Sequence, residues 1–217
     1  MSHFSFENDP KGPALQAFES VDIYLLDLIL KGRIRPGMKV LDVGCGHGRN
    51  ALGLMALGCE VHGFDPSAMA IEQLKATLPE EIQTRFQVGS LPNVLNIGDD
   101  FDWVICNAVF HFAPERVSFH HWFDASVSYL KPSGSFFARL STQVAWPTGA
   151  ASPFPFLASE EDLCQAEDRH RAFRIEPLKT TVVEKLRTMS TWVLSFKKDE
   201  DKYDEDKNNE DKDNEYL

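Results

Sequence analysis

A chain of 217 residues with 43% hydrophobic and 11% aromatic residues has room for one domain with a real core, not for two full enzymatic domains. Its 22 Lys and Arg stand against 33 Asp and Glu, a formal net charge of -11 that disfavours a non-specific grip on nucleic-acid phosphates or anionic lipid. Met1 to Glu7 lacks the basic and apolar regions of a secretion signal, and the best apolar run, Ile23 to Leu30, is short and interrupted by Asp27. The expectation is a cytoplasmic protein that does not cross a membrane.

Along the chain, Ala14, Phe18, Val21, Leu25 and Leu28 recur at helical spacing after Pro13 and predict one amphipathic helix, closed by Gly32 and Pro36-Gly37. Strand-like runs follow at Lys39 to Val43, Glu60 to Phe64, Thr84 to Val88, Phe101 to Asn107 and Ser135 to Leu140, with helical stretches near 48–57, 67–77 and 115–130 between them. Strands joined by helix-length connections imply right-handed crossovers and a parallel sheet covered on both faces. Ser159-Glu-Glu-Asp162 marks another helix start. Leu178 to Lys185 and Met189 to Phe196 then read as strands whose short connection forces an antiparallel hairpin. The predicted fold is α/β, a doubly wound, mostly parallel seven-stranded sheet ending in that hairpin. The cysteines at 45, 59, 106 and 164 form no C-x-x-C pair and read as reduced core thiols.

Lys197 to Leu217 holds 10 acidic residues and 5 Lys, about half of the net charge excess, and offers only Tyr203, Tyr216 and Leu217 to a core. That is too little apolar surface to offset the entropy of ordering it. The expected organisation is a domain over 1–196 and an acidic, solvated tail over 197–217.

The densest signal is Val40-Leu-Asp-Val-Gly-Cys-Gly-His-Gly-Arg-Asn50, a strand running into a glycine-rich turn and then a helix. Gly44 and Gly46 let the backbone turn sharply and let a ligand approach the main chain. Asp65, closing the second strand 19 residues beyond Gly46, is placed to accept both hydroxyls of an adenosine ribose. A dinucleotide fingerprint would read G-x-G-x-x-G and seat a pyrophosphate at the helix start, where Asp42 would repel it. S-adenosylmethionine carries a sulfonium and an ammonium, and Asp42 would attract it.

Leu41-Asp-Val-Gly-Cys-Gly-His-Gly-Arg-Asn50, followed by Val61-His-Gly-Phe-Asp-Pro-Ser67, Phe101-Asp-Trp-Val-Ile-Cys-Asn107 and Leu130-Lys-Pro-Ser-Gly134, resembles the class I S-adenosylmethionine-dependent methyltransferases over about residues 13–196. Within that family the Gly-Arg-Asn ending of the first motif is most similar to small-molecule members such as the tellurite-resistance methyltransferases. The resemblance implies that Asp42, Gly44 and Gly46 hold the amino-acid end of the cofactor, that Asp65 holds its ribose, and that Met69 covers the adenine. Where the family often has an Asp after the third strand, this chain has Gly89-Ser90-Leu91, so Ser90 or the backbone of Leu91 takes that role. Asn107, ending the fourth strand, completes the cofactor set. The sequence Asn107-Ala-Val-Phe-His111 lacks the Asn-Pro-Pro-aromatic cradle of enzymes that methylate planar amines, which with the charge moves nucleic acid down the list of substrates.

The implied activity is methyl transfer to a small-molecule acceptor by in-line displacement, which needs a base only if the nucleophile carries a proton. His111, just past the fourth strand, is the candidate base. His120 and His121 face different directions on a helix and are poor joint metal ligands, so no metal is expected. The broken, aromatic segment Trp146 to Phe156 either caps the substrate pocket or tucks under the sheet. Two other readings compete, a nicotinamide-dependent oxidoreductase and a catalytically silent cofactor-binding subunit. The acceptor and the oligomeric state stay open at this point.

Overall fold

The computed structural model describes residues 16–93, 97–144, 151–183 and 187–196. The acidic tail, with its boundary at 197, lies outside the described residues, as do residues 146–150 of the aromatic segment that begins at Trp146. In chain order come α1 (Ile23–Leu30), β1 (Lys39–Val43), α2 (Arg49–Leu57), β2 (Glu60–Asp65), α3 (Ala68–Ala76), the short α4 (Glu80–Gln83), β3 (Phe86–Val88) and β4 (Phe101–Asn107). A 3₁₀ turn (Phe110–Phe112), α5 (Arg116–Val127), β5 (Leu130–Leu140), α6 (Glu160–His170), β6 (Ala172–Arg174), β7 (Lys179–Val183) and β8 (Arg187–Phe196) follow.

The strands form one sheet in the order β3-β2-β1-β4-β5-β8-β6, with β7 also paired to β8. The pairs from β3 to β5 are parallel, and β8 is antiparallel to β5, β6 and β7. The terminal hairpin is therefore present, with β7 and β8 in register from Lys179 opposite Thr191. Two expectations change. The sheet has eight strands, because Ala172–Arg174, too short to read as a strand in sequence, pairs with the end of β8. The single N-terminal helix is broken: residues 19–22 turn, and Asp22 caps a new helix by accepting from the Tyr24 N–H at 3.0 Å. A buried Asp22 whose own N–H donates to Asn50 Oδ1 at 3.0 Å favours a cap over a helix interior.

Alternation along the strands feeds two apolar layers. One face places Leu41, Val43, Val104, Phe136 and Trp192 against Phe110, Phe119, Phe123 and Leu163 from the 3₁₀ turn, α5 and α6. The other places Val40, Ile105, Phe137 and Val193 against Leu25 and Leu28 of α1 and Leu54, Ile71 and Leu74 of α2 and α3. Cys45, Cys59 and Cys106 are buried free thiols, whereas Cys164 is exposed on α6 and is no core residue. Among the described residues no helix is long and apolar enough to cross a membrane.

Candidate cofactor site

The crevice opens where a doubly wound sheet places ligands, at the carboxyl ends of the strands. The chain leaves β1 in a tight turn: the N–H groups of Gly44 and Cys45 both donate to the Phe64 carbonyl, at 2.8 and 3.1 Å. Gly44 has φ +72°, and a Cβ there would stand 2.5 Å from Val109 Cγ2, so both backbone and space require glycine. Asp65, ending β2, ties this turn to the next helix. Its Oδ2 accepts from the Gly46 N–H at 2.9 Å and its Oδ1 from the Ser67 N–H at 2.8 Å. A carboxylate oxygen accepts more than one hydrogen bond, so both oxygens keep capacity for a ligand hydroxyl.

Beside this turn lies a cavity of about 360 Å³. Val43 and Gly44 come to it from β1, Phe64, Asp65 and Pro66 from β2, and Gly89, Ser90 and Leu91 from the loop after β3. Ala108, Val109 and Phe112 from beyond β4 and Trp122 from α5 complete the wall. Gly44, Asp65, Ser90 and Leu91 thus meet as expected from the sequence, with Gly46 behind Asp65 as its anchor. Sequence reasoning missed Pro66, Val109, Phe112 and Trp122. The signal for Phe112 would have been its place two residues past the motif at Asn107 to Phe110, since an aromatic just beyond a strand's carboxyl end opens onto the crevice.

The remaining candidates lie apart from this wall. Asp42 sits beneath the turn, 1% exposed, with Oδ2 unpartnered. Loss of water drives its pKa up to about 7, with Asp65 adding to the rise and the Arg49 guanidinium opposing it. Met69 is 64% exposed in the first turn of α3 and does not line the cavity. Asn107 ends β4 immediately before the lining residue Ala108, and its Nδ2 is buried without an acceptor.

His111 is buried in the 3₁₀ turn, its ring 4.1 Å from that of Phe154 and 4.6 Å from that of Phe112. Its Nδ1 accepts from the Ser141 N–H at 3.3 Å, which puts the proton of the neutral ring on Nε2. Phe154 also stands edge-on to Phe112, 5.7 Å between centroids, while Phe156 packs on Phe119 of the core. Within the described part of the aromatic segment, Phe154 thus touches a wall residue and Phe156 packs on the core. His120 is buried and His121 exposed, so the two adjacent imidazoles do part.

The wall fits S-adenosylmethionine. Apolar side chains flank an adenosine-sized space, Asp65 offers acceptors for ribose hydroxyls, and Asp42 is a buried acidic oxygen without a partner beneath the turn that would meet a cationic end.

Residues 40–134 match the methyltransferase domain family. Among curated proteins the chain is 34% identical over 86 residues to the probable S-adenosyl-L-methionine-dependent methyltransferase TehB of Haemophilus influenzae, covering 40% of this chain and 30% of that protein. It is 29% identical over 146 residues to the ubiquinone biosynthesis O-methyltransferase of Xanthomonas campestris pv. campestris, covering 66% of this chain and 58% of that protein. The chain thus spans less than two thirds of the length of the curated relatives it matches. Among solved structures it resembles magnesium protoporphyrin IX methyltransferase from Synechocystis PCC 6803 with bound S-adenosylhomocysteine, with a TM-score of 0.65, 16% identity and coverage of 88% of this chain and 90% of the other. It also resembles TehB from Haemophilus influenzae, with a TM-score of 0.61, 23% identity and coverage of 79% and 62%.

Proposed function

From the match of residues 40–134 to the methyltransferase domain family, we propose that this chain is an S-adenosylmethionine-dependent methyltransferase acting on a small-molecule acceptor. The observation that carries the reading is Asp65, whose two oxygens brace the glycine turn and the start of α3 while facing the cavity. That bracing fixes a carboxylate against the turn before any ligand arrives, which limits the ordering cost of binding.

The cofactor supplies an electrophilic methyl group on a sulfonium. The chain's own contribution is to bind, align and keep dry. Phe64, Leu91, Val109 and Phe112 exclude water from the crevice, and a dry site strengthens each polar contact within it. Gly44 and Gly46 admit the ligand close to the main chain, and Asp42 favours its cationic end. Ser90 is the hydroxyl nearest to hand for an adenine amino group, with the backbone of Leu91 beside it. Met69 is assigned to the outer edge of the adenine, a role that would require its exposed side chain to fold inward. His111 remains the base of this proposal. Using its Nδ1 lone pair means giving up the Ser141 N–H, and at 3.3 Å that hydrogen bond is longer than the usual range.

S-adenosylhomocysteine tests the reading directly. At 100 times its dissociation constant a ligand adds about 2.7 kcal/mol to the native state, enough to raise the melting temperature by several degrees in a domain of this size. S-adenosylhomocysteine should do so and NAD should not. Asp65→Ala removes an acceptor for two hydroxyls and should weaken S-adenosylhomocysteine binding at least about tenfold while the free protein stays folded. A shift with NAD and none with S-adenosylhomocysteine would replace this reading with the oxidoreductase.

A further inference from the structure

Beside the cofactor cavity, the carboxyl ends of β4 and β5, with the amino-terminal half of the antiparallel β8 alongside, carry a second polar group. Asn107 is the cross-strand partner of Arg139, and Arg139 of Thr191, so the three form one row on one face of the sheet. The row below it is Ile105, Phe137 and Val193, part of the apolar layer under α1 and α2. Each member of the polar row presents a buried donor atom with no acceptor: Asn107 Nδ2, Arg139 Nε and Thr191 Oγ1. Folded proteins leave few such groups. Three neighbouring ones able to donate call for a ligand rich in acceptor oxygens.

The pose of Arg139 narrows the ligand further. Its Nη1 donates to Asp22 Oδ2 at 2.8 Å, and the guanidinium lies over the Tyr24 ring, 4.6 Å from its centroid. Those contacts fix the plane and occupy one end. The side-on edge, made by Nε and Nη2, keeps only a 3.4 Å contact from Nη2 to the Thr181 hydroxyl, longer than a usual hydrogen bond. Two parallel N–H groups on one guanidinium edge are the complement of a carboxylate. Asp22 does not cancel this charge, because the Arg49 guanidinium also stands 3.9 Å from the same oxygen. The buried acid Asp42 lies on β1, on the same face of the sheet and two strands from Arg139.

We propose that Asn107, Arg139 and Thr191 form the acceptor subsite, and that the acceptor is a carboxylic acid held by its carboxylate on the Nε and Nη2 edge of Arg139. The inference rests on the methyltransferase reading of the cavity described above, whose lining residue Ala108 follows Asn107 directly in the chain. The carboxylate is the handle and not the methylated group, since both of its oxygens are engaged by the arginine.

A suitable probe has a carboxylate at one end and a nucleophilic oxygen at the other. With the protein saturated by S-adenosylhomocysteine, 4-hydroxybenzoate and its methyl ester are titrated by calorimetry. The acid should bind at least about tenfold more tightly than the ester. Arg139→Gln should abolish that preference with the S-adenosylhomocysteine affinity unchanged within about twofold, and Arg139→Lys should restore part of it. Thr191→Val, nearly isosteric and free of the Asp22 pairing, keeps the test open should the arginine variants fail to fold, and should weaken the acid about threefold. Equal binding of acid and ester, binding of neither, or indifference of the acid to the folded variants overturns the carboxylate subsite. Failure of the wild-type protein to bind S-adenosylhomocysteine at all overturns the methyltransferase reading instead.

Discussion

Asp42 ties stability to pH and, in the proposed function, ties ligand binding to pH as well. Burial lifts its pKa to about 7, so between the ordinary carboxylate range and pH 7 the folded chain holds a proton that the unfolded chain has released. The stability owed to this group is therefore greatest at low pH, falls as pH rises across that window and levels off above it. A cationic ligand prefers the ionised form. S-adenosylmethionine affinity should rise about tenfold between pH 6 and pH 8, and Asp42→Asn should flatten the profile, as isothermal titration at the two pH values would reveal. His111 belongs to the same scale. His111→Ala should leave cofactor affinity within about twofold and lower kcat at least about a hundredfold if the acceptor sheds a proton in the step. An unchanged kcat would return the ring to packing against Phe154.

Single residues were also the most legible part of the site. Asp65, Gly44 and Gly46 could be read from sequence because their chemistry is local: a tight turn needs positive φ, and a strand-ending acid needs no distant partner to be useful. Trp122 could not, since what makes it a wall residue is its arrival beside Leu91 from α5. Arg139 sat unremarked in a strand. Only the register with Asn107 and Thr191 gives it meaning.

At the scale of elements, periodicity located the strands and helices, and the failures came where a cap or a partner overrode it. The break at 19–22 follows from Asp22, whose side chain serves the Tyr24 N–H while its backbone serves Asn50. Three residues of β6 carry no periodic signal of their own and become a strand only because β8 extends past β7 to meet them. The start of α6 was readable, and its structure explains why. Asp162 Oδ2 accepts from the Ser159 N–H at 2.8 Å and from its hydroxyl at 2.7 Å, while Ser159 Oγ accepts from the Asp162 N–H at 3.2 Å. Ser159→Ala breaks that reciprocal cap and should cost about 1 kcal/mol, lowering the melting temperature by about 2 to 4 °C in calorimetry with no change in cofactor affinity.

For the whole molecule, the doubly wound architecture was legible because alternating strands and helix-length connections leave few topologies open. The tail prediction belongs here too, and it rests on composition alone. Deleting 199–217 removes net acidic charge and almost no apolar surface, so the melting temperature should stay within about 1 °C and the S-adenosylhomocysteine affinity should be unchanged. A loss of many degrees in the same scan would mean that the segment is packed against the domain.

The placement of β8 has a consequence for how the chain comes off the ribosome. It is made after every other described strand, yet it fills an interior position, hydrogen-bonded to β5 on one side and to β6 and β7 on the other. Until it emerges, the nascent sheet ends at β5, an edge of Phe136, Phe137 and Ala138 that folding buries completely. Such an edge templates wrong partners, and long-range pairing closes slowly. The chain thus passes from residue 140 to residue 196 of its synthesis with that strand open, and chaperone capture during translation should concentrate on lengths between those two points.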